Sequence, residues 1–158
     1  WSHASPFIRA IEDGLIDPER MLSVGIRGPL NAAADLDFVR KHGVNIITAE
    51  QWHRGDGQAT IESFLKQIGD DPTYLTLDID SVDPAYAPGT GTPCCGGFTT
   101  REALDLVRRC RSANIVGADL VEVLPDRDPS GITSMLASQL IFEVLSISAW
   151  RAEQDAAN

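Results

Sequence analysis

Three carboxylates lie within six residues near the middle of the chain, at the end of an apolar run. Asp78, Asp80 and Asp83 follow Tyr74-Leu-Thr-Leu77, which predicts a strand. Because side chains alternate across a strand, Asp78 and Asp80 are expected to point to the same face. Paired carboxylates at a strand end supply the oxygen ligands that a hard divalent cation prefers. The competing interpretation is that the aspartates cap turns in solvent, and Asp83 before Pro84 fits it.

A loop rich in proline and glycine follows these carboxylates. Residues 84–97 contain three prolines and four glycines, which restrict the backbone at some positions and permit unusual angles at others. This composition predicts a shaped loop at the edge of a sheet rather than a flexible connector. Glu122 lies near the end of another predicted strand, residues 114–123, so its carboxylate is expected at the same edge.

The surrounding sequence predicts an α/β fold with a parallel sheet. Predicted strands over 21–26, 44–47, 74–77 and 114–123 alternate with helices that begin near residues 6, 32, 58, 99 and 132. Such alternation is typical of βαβ units whose helices cover both faces of a sheet. Ligands bind beyond the carboxyl ends of the strands in these sheets, where Asp78, Asp80 and Glu122 are placed. We expect one domain over residues 1–158.

Composition excludes several classes of protein. The chain has 158 residues, 43% of them hydrophobic, and a formal net charge of −10. An acidic chain disfavours nucleic acids and anionic membranes as partners, and no apolar stretch is expected to reach the roughly 20 residues of a membrane span. Three cysteines, of which Cys94 and Cys95 are adjacent, predict no disulfide framework and favour the cytoplasm as location.

The segment from residue 78 to residue 98 resembles the signature of the ureohydrolase (arginase/agmatinase) family. The family pattern is Asp-x-Asp-x-x-Asp-Pro-x-x-x-Pro-x-x-Gly-Thr-Pro-x-x-Gly-Gly-Leu, and Phe98 in place of the final leucine is the one departure. Val24-Gly-Ile-Arg27 and residues 114–122 agree with its agmatinase-like branch. The resemblance implies a three-layer α/β/α fold, with about four strands of the full sheet in this chain. It also implies hydrolysis of a linear guanidino compound, such as agmatine or guanidinobutyrate, to urea and an amine.

The resemblance further implies roles for individual residues. The family uses two manganese ions to activate a bridging water, and Asp78 and Asp80 occupy the positions of metal ligands. Glu122 corresponds to the carboxylate that binds the substrate guanidinium. His3 corresponds to a histidine that passes a proton to the departing amine, with Ala4 in place of the usual glycine beside it. By its position rather than by the resemblance, Asp119 is expected to face the other side of the strand from Glu122 and to support the site as a hydrogen-bond acceptor. His42 and His53 are expected at the surface.

Two family motifs have no counterpart in this sequence. They are Gly-Gly-Asp-His and Asp-Ala-His-x-Asp, which together supply four of the six metal ligands. The resemblance therefore implies the carboxyl-terminal half of a ureohydrolase, inactive until joined to an amino-terminal half, and the complete protein is expected to be a trimer or hexamer. A fragment, one half of a split enzyme and a truncated relative all satisfy this description.

Two other functions stay open at this point. One is a non-catalytic binding or assembly module that keeps the family fold. The other is a phosphotransferase or phosphatase of the haloacid dehalogenase type, because those proteins also place Asp-x-Asp at the end of a parallel strand.

Overall fold

The strands of the computed structural model pair two by two into parallel sheets. The structure describes residues 5–30 and 32–157, and they group into two compact units, one ending at residue 57 and the other beginning at residue 58. Four strands carry the pairing, β1 (Leu22–Ile26) with β2 (Asn45–Thr48) and β3 (Pro72–Asp78) with β4 (Asn114–Val121). The expected parallel strands are thus present, but they are hydrogen-bonded as two two-stranded sheets rather than as one four-stranded sheet. The single domain expected over residues 1–158 stays a prediction.

The helices of the first unit begin and end at recognisable local signals. They are α1 (Pro6–Glu12), α2 (Asp37–His42) and α3 (Ala49–Arg54). The helix expected to begin near residue 32 is a 3-10 turn over Ala33–Leu36 that continues into α2. Helix α3 was not expected, although Thr48 and Gln51 form a capping box in which the Thr48 N–H donates to Gln51 Oε1 at 2.8 Å.

The second unit contains the βαβ unit that carries the candidate site. Its helices are α5 (Thr100–Arg109) and α6 (Ile132–Ala157), and α4 (Asp56–Ile68) begins at the junction of the two units. Thr99 and Glu102 cap α5 reciprocally, with the Glu102 N–H donating to Thr99 Oγ1 at 3.2 Å. Asp78 is in register with Val121, so β3 and β4 end at the same edge of their sheet.

Apolar side chains between β3, α5 and α6 form the core of this unit. Phe98 and Ile79 are each 1% exposed, and Val107 and Leu140 are also buried. A cavity of about 30 Å³ lies among them, which is room for about one water molecule. This cavity is too small to hold a substrate.

Helix α6 corrects one expectation. An 18-residue window of this helix has a mean hydropathy of 1.5, so by length and composition alone it could cross a membrane. Its buried residues recur at helical spacing on one face, where α6 contacts α5 and β4. They are Thr133, Leu136, Ala137, Leu140, Val144 and Ile147. This packing accounts for the apolar residues on that face, whereas Phe142 and Leu145 of the same helix are exposed.

Candidate active site

The two predicted metal ligands lie at the end of β3, where the strand is followed by a single 3-10 turn. β3 ends at Asp78, and Asp80 belongs to the turn Ile79–Ser81, so strand alternation does not extend to Asp80 as expected. The turn instead links the two residues directly, because the Asp80 N–H donates to Asp78 Oδ1 at 3.0 Å. Burial of Ile79 beneath the turn fixes its orientation, while Asp78 remains exposed.

The carboxylate of Asp80 is also bound by the proline- and glycine-rich loop. Thr92 Oγ1 donates to Asp80 Oδ2 at 2.8 Å, joining the middle of the loop to the turn after β3. This contact spans twelve residues, so neither strand nor helix periodicity predicts it. The signature threonine therefore has a structural role in positioning an aspartate.

Asp83, the third carboxylate of the cluster, organises the loop. It accepts hydrogen bonds from the N–H groups of Ala85 at 2.9 Å, Gly96 at 2.7 Å and Gly97 at 3.3 Å. A Cβ on Gly97 would lie 2.6 Å from the Asp83 nitrogen, so only glycine permits this approach. Phe98 then closes the loop, because its N–H donates to the Ser81 carbonyl at 3.0 Å. The turn-capping interpretation thus holds for Asp83.

Glu122 follows β4 in a backbone conformation that is rare outside glycine. Its φ is 65°, in the left-handed region. Its side chain is exposed, and no donor among the described residues lies within hydrogen-bonding distance of its carboxylate. Glu122 Oε2 lies 3.5 Å from the point where a Cβ of Gly91 would stand. Since Gly91 precedes Thr92, adjacent loop residues lie beside Glu122 and bind Asp80, so the loop brings the two carboxylates to one edge.

The loop is fastened on its other side to the start of α6. The Gly89 N–H donates to Thr133 Oγ1 at 2.9 Å, and the Leu124 N–H donates to the Gly89 carbonyl at 2.8 Å. Asp128 accepts from the N–H groups of Thr133 and Ser134. Burial raises the pKa of the Asp128 carboxyl, but the hydrogen bonds from Ser134 and Thr133 outweigh it and hold that pKa below its ordinary value.

Sequence reasoning did not identify Asp128 or Thr133. Asp-Pro-Ser-Gly before an apolar run is a signal for the start of a helix, so a capping role for Asp128 could have been predicted. The contact of Thr133 with Gly89 spans 44 residues and has no local signal.

Asp119 lies on the sheet as an acceptor for β3. Tyr74 Oη donates to Asp119 Oδ2 at 2.9 Å and Thr76 Oγ1 donates to Asp119 Oδ1 at 2.6 Å. The hydrogen bond to Asp119 raises the pKa of the Tyr74 phenol. Both bonds cross from β4 to β3, so Asp119 aligns the strand that ends at Asp78.

Comparison with known proteins gives this arrangement a context. The model of the arginase family matches residues 1–146. The chain belongs to the arginase family. It is 42% identical over 156 residues to guanidinopropionase of Pseudomonas aeruginosa, covering 99% of this chain and 49% of that protein. It is also 42% identical over 146 residues to agmatinase of Chromobacterium violaceum, covering 92% of this chain and 43% of that protein.

Solved structures confirm the arginase-like α/β fold. Proclavaminate amidinohydrolase of Streptomyces clavuligerus superposes with a TM-score of 0.86 at 41% identity, over 93% of this chain and 49% of that chain. The resemblance inferred from the signature is therefore confirmed. The chain spans about half the length of the curated relatives it matches.

The arginase-family histidine lies outside the described residues. His3 and Ala4 precede residue 5, where the description begins. His42 packs on Phe38 with ring centroids 4.1 Å apart, and its Nδ1 lies 2.9 Å from the Phe38 carbonyl oxygen. His53 is exposed. Neither position contradicts the surface location expected for His42 and His53.

The residues present fit only part of the metal site that the arginase family implies. Asp78 and Asp80 provide oxygen donors of the type that Mn²⁺ accepts. Within residues 5–30 and 32–157, however, no group of three or more His, Cys, Asp or Glu side chains is arranged to hold an ion. The described residues therefore do not form a complete metal site by themselves.

Proposed function

We propose that the protein to which this chain belongs hydrolyses a linear guanidino compound to urea and an amine. The relatives named above are a guanidinopropionase and an agmatinase, both named for guanidino compounds. The observation that carries the proposal is the exposed carboxylate of Glu122, which is held at the sheet edge by a left-handed backbone and has no donor within hydrogen-bonding distance among the described residues.

A guanidinium is the complement of such a carboxylate. It is planar and presents N–H donors in a fork that matches two carboxylate oxygens. The Glu122 backbone is fixed by its place between β4 and the contact of Leu124 with Gly89, so the point from which the side chain extends is set before substrate binds. We infer that Glu122 orients the substrate carbon toward the edge where Asp78 and Asp80 lie.

Two manganese ions, when bound, would supply a hydroxide near neutral pH as the nucleophile. Asp78 and Asp80 would be ligands to these ions, and the remaining ligands would come from an amino-terminal half that this chain does not contain. Thr92 would hold Asp80 in orientation through its 2.8 Å hydrogen bond. His3 would pass a proton to the departing amine. We further propose a cytoplasmic trimer or hexamer as the complete protein.

A non-catalytic module that keeps the fold is the second candidate. It is favoured by the incomplete set of metal-binding side chains among the described residues. The haloacid dehalogenase alternative is contradicted by the arginase family match and by the fold.

Urea release decides between catalysis and a non-catalytic module. The assay uses 3-guanidinopropionate, 4-guanidinobutyrate and agmatine with Mn²⁺, on this chain and on the longest natural polypeptide that contains it. We expect urea from the longer polypeptide, with kcat/KM falling about 100-fold in Glu122→Gln because a charge-assisted pair is lost.

Glu153→Gln, on the exposed end of α6, is the matched control and should leave kcat/KM unchanged. Calorimetric titration should show Mn²⁺ binding that weakens in Asp78→Asn. Absence of urea from all three compounds, with no Mn²⁺ bound, would establish the non-catalytic module instead.

A further inference from the structure

An arginine without an acidic partner stands beside the candidate guanidinium-binding carboxylate. Arg127 ends the 3-10 turn Pro125–Arg127 and is exposed. Its Nη1 approaches the Gly91 carbonyl oxygen at 3.5 Å, and no carboxylate among the described residues lies within ion-pairing distance of it. Two other arginines of this unit do have acidic partners, since Arg108 pairs with Glu143 and Arg109 pairs with Glu62.

Gly91 places this cation close to Glu122. Its carbonyl contacts Arg127, and its Cβ position lies 3.5 Å from Glu122 Oε2. The carbonyl oxygen and the Cβ position of Gly91 are separated by the length of one residue at most. Added to the two 3.5 Å distances, this separation places Arg127 Nη1 and Glu122 Oε2 no more than about 10 Å apart. A short ω-guanidino acid is of comparable size, with about 6 Å between its guanidinium and carboxylate carbons in 4-guanidinobutyrate.

Sequence identity to the named relatives does not indicate which guanidino compound is the substrate. Identity is 42% both to a guanidinopropionase and to an agmatinase. The substrates named for these proteins differ at the end remote from the guanidinium, which is a carboxylate in a guanidino acid and an ammonium in agmatine. A single positive side chain at the right distance therefore distinguishes them by charge.

We propose that Arg127 binds the tail carboxylate of the substrate and makes the enzyme selective for ω-guanidino acids over agmatine. The inference rests on the proposed function, with Glu122 holding the guanidinium. Asp78, Asp80 and Glu122 make the inner edge negative, which suits the cationic end of any guanidino substrate. Arg127 adds a positive charge beside this edge, between exposed Asp126 and buried Asp128, and its guanidinium would attract a carboxylate and repel an ammonium.

The test is the ratio of kcat/KM for 4-guanidinobutyrate to kcat/KM for agmatine, measured with the longest natural polypeptide and Mn²⁺. We expect a ratio well above one. Arg127→Gln should lower the ratio by about 5- to 30-fold, because it removes both the attraction of Arg127 for the carboxylate of 4-guanidinobutyrate and its repulsion of the ammonium of agmatine. Arg127→Lys should restore much of the ratio, and Arg127→Glu should lower it further.

Arg101→Gln is the matched control, because Arg101 is also exposed and lies on α5. It should leave the ratio unchanged. A structural role for Arg127 would change the rates for both substrates alike and would move the thermal midpoint, and it would leave the ratio constant.

The outcomes separate this inference from the proposed function. Urea from either substrate with a ratio that is the same in Arg127→Gln would overturn the role of Arg127 and leave the hydrolase intact. A preference for agmatine in the unmodified protein would do the same. No urea from any guanidino compound would overturn both.

Discussion

Replacing Glu122 with glycine should make the folded chain more stable while it removes the proposed function. The φ of Glu122 is 65°, and a left-handed conformation costs a residue with a Cβ about 1–2 kcal/mol. Glycine avoids this cost but is more flexible in the unfolded chain, which costs about 0.5–1 kcal/mol. The expected net gain in free energy of unfolding is therefore about 0.5–1 kcal/mol.

Glu122→Ala is the control that isolates the backbone contribution. Both variants remove the same negative charge from a chain whose net charge is −10, so relief of electrostatic repulsion is equal in the two. Both also remove an exposed side chain that buries little surface. Only the glycine variant relieves the left-handed conformation, so the difference between the two variants measures the strain at this position less the cost of the added flexibility of glycine in the unfolded chain.

The assay is urea denaturation of the chain followed by circular dichroism, with a common slope for all variants. Glu122→Gly should have the highest midpoint, with Glu122→Ala close to the unmodified chain. A glycine variant no more stable than the alanine variant would refute the claim that Glu122 is held in a strained backbone. Urea release in the longer polypeptide should be lost in both variants.

Three further predictions concern the loop and the core. Asp83→Ala leaves the N–H groups of Gly96 and Gly97 without their acceptor and should lower the free energy of unfolding by about 2–3 kcal/mol in denaturant titration. Gly97→Ala places a Cβ 2.6 Å from the Asp83 nitrogen and should cost more, when thermal midpoints are compared, than Gly96→Ala, whose Cβ meets nothing within 4 Å and which bears only the cost of its left-handed φ of 79°. Burial raises the pKa of the Cys110 thiol to about 11 from an ordinary value of 9.0, so the folded chain holds this proton more tightly than the unfolded chain. The protonated Cys110 thiol therefore contributes fully to the free energy of unfolding below pH 9, and about 3 kcal/mol of that free energy is lost as the pH rises to about 11. Cys110→Ala should flatten this part of the plot of unfolding free energy against pH.

Local signals predicted most of the elements around the site. A threonine at residue 99 or 100 indicated the start of α5, and apolar runs identified β3 and β4. These features depend on residues a few positions apart, so a single sequence contains them. Boundaries were less accurate, and β4 ends at Val121 rather than at residue 123 because the chain turns at the left-handed Glu122.

The signature also identified the family and the candidate carboxylates, and Pro84 after Asp83 indicated that Asp83 lies in a turn. Asp83 accepts three hydrogen bonds from the loop, whereas Asp80 is bound by Thr92. The contacts with Thr92, Gly96 and Gly97 have no local signal, because these residues reach the aspartates only after the loop folds back.

The sequence determined the α/β class, the family and the strand ends at which the acidic residues lie. Only the tertiary structure decided that Gly91 and Thr92 connect Glu122 with Asp80, and that Arg127 stands beside them. The physical reason is range: these contacts join residues that are 12 to 36 positions apart, beyond the reach of strand or helix periodicity. They exist because Asp83, Phe98 and Thr133 fasten the loop at both sides.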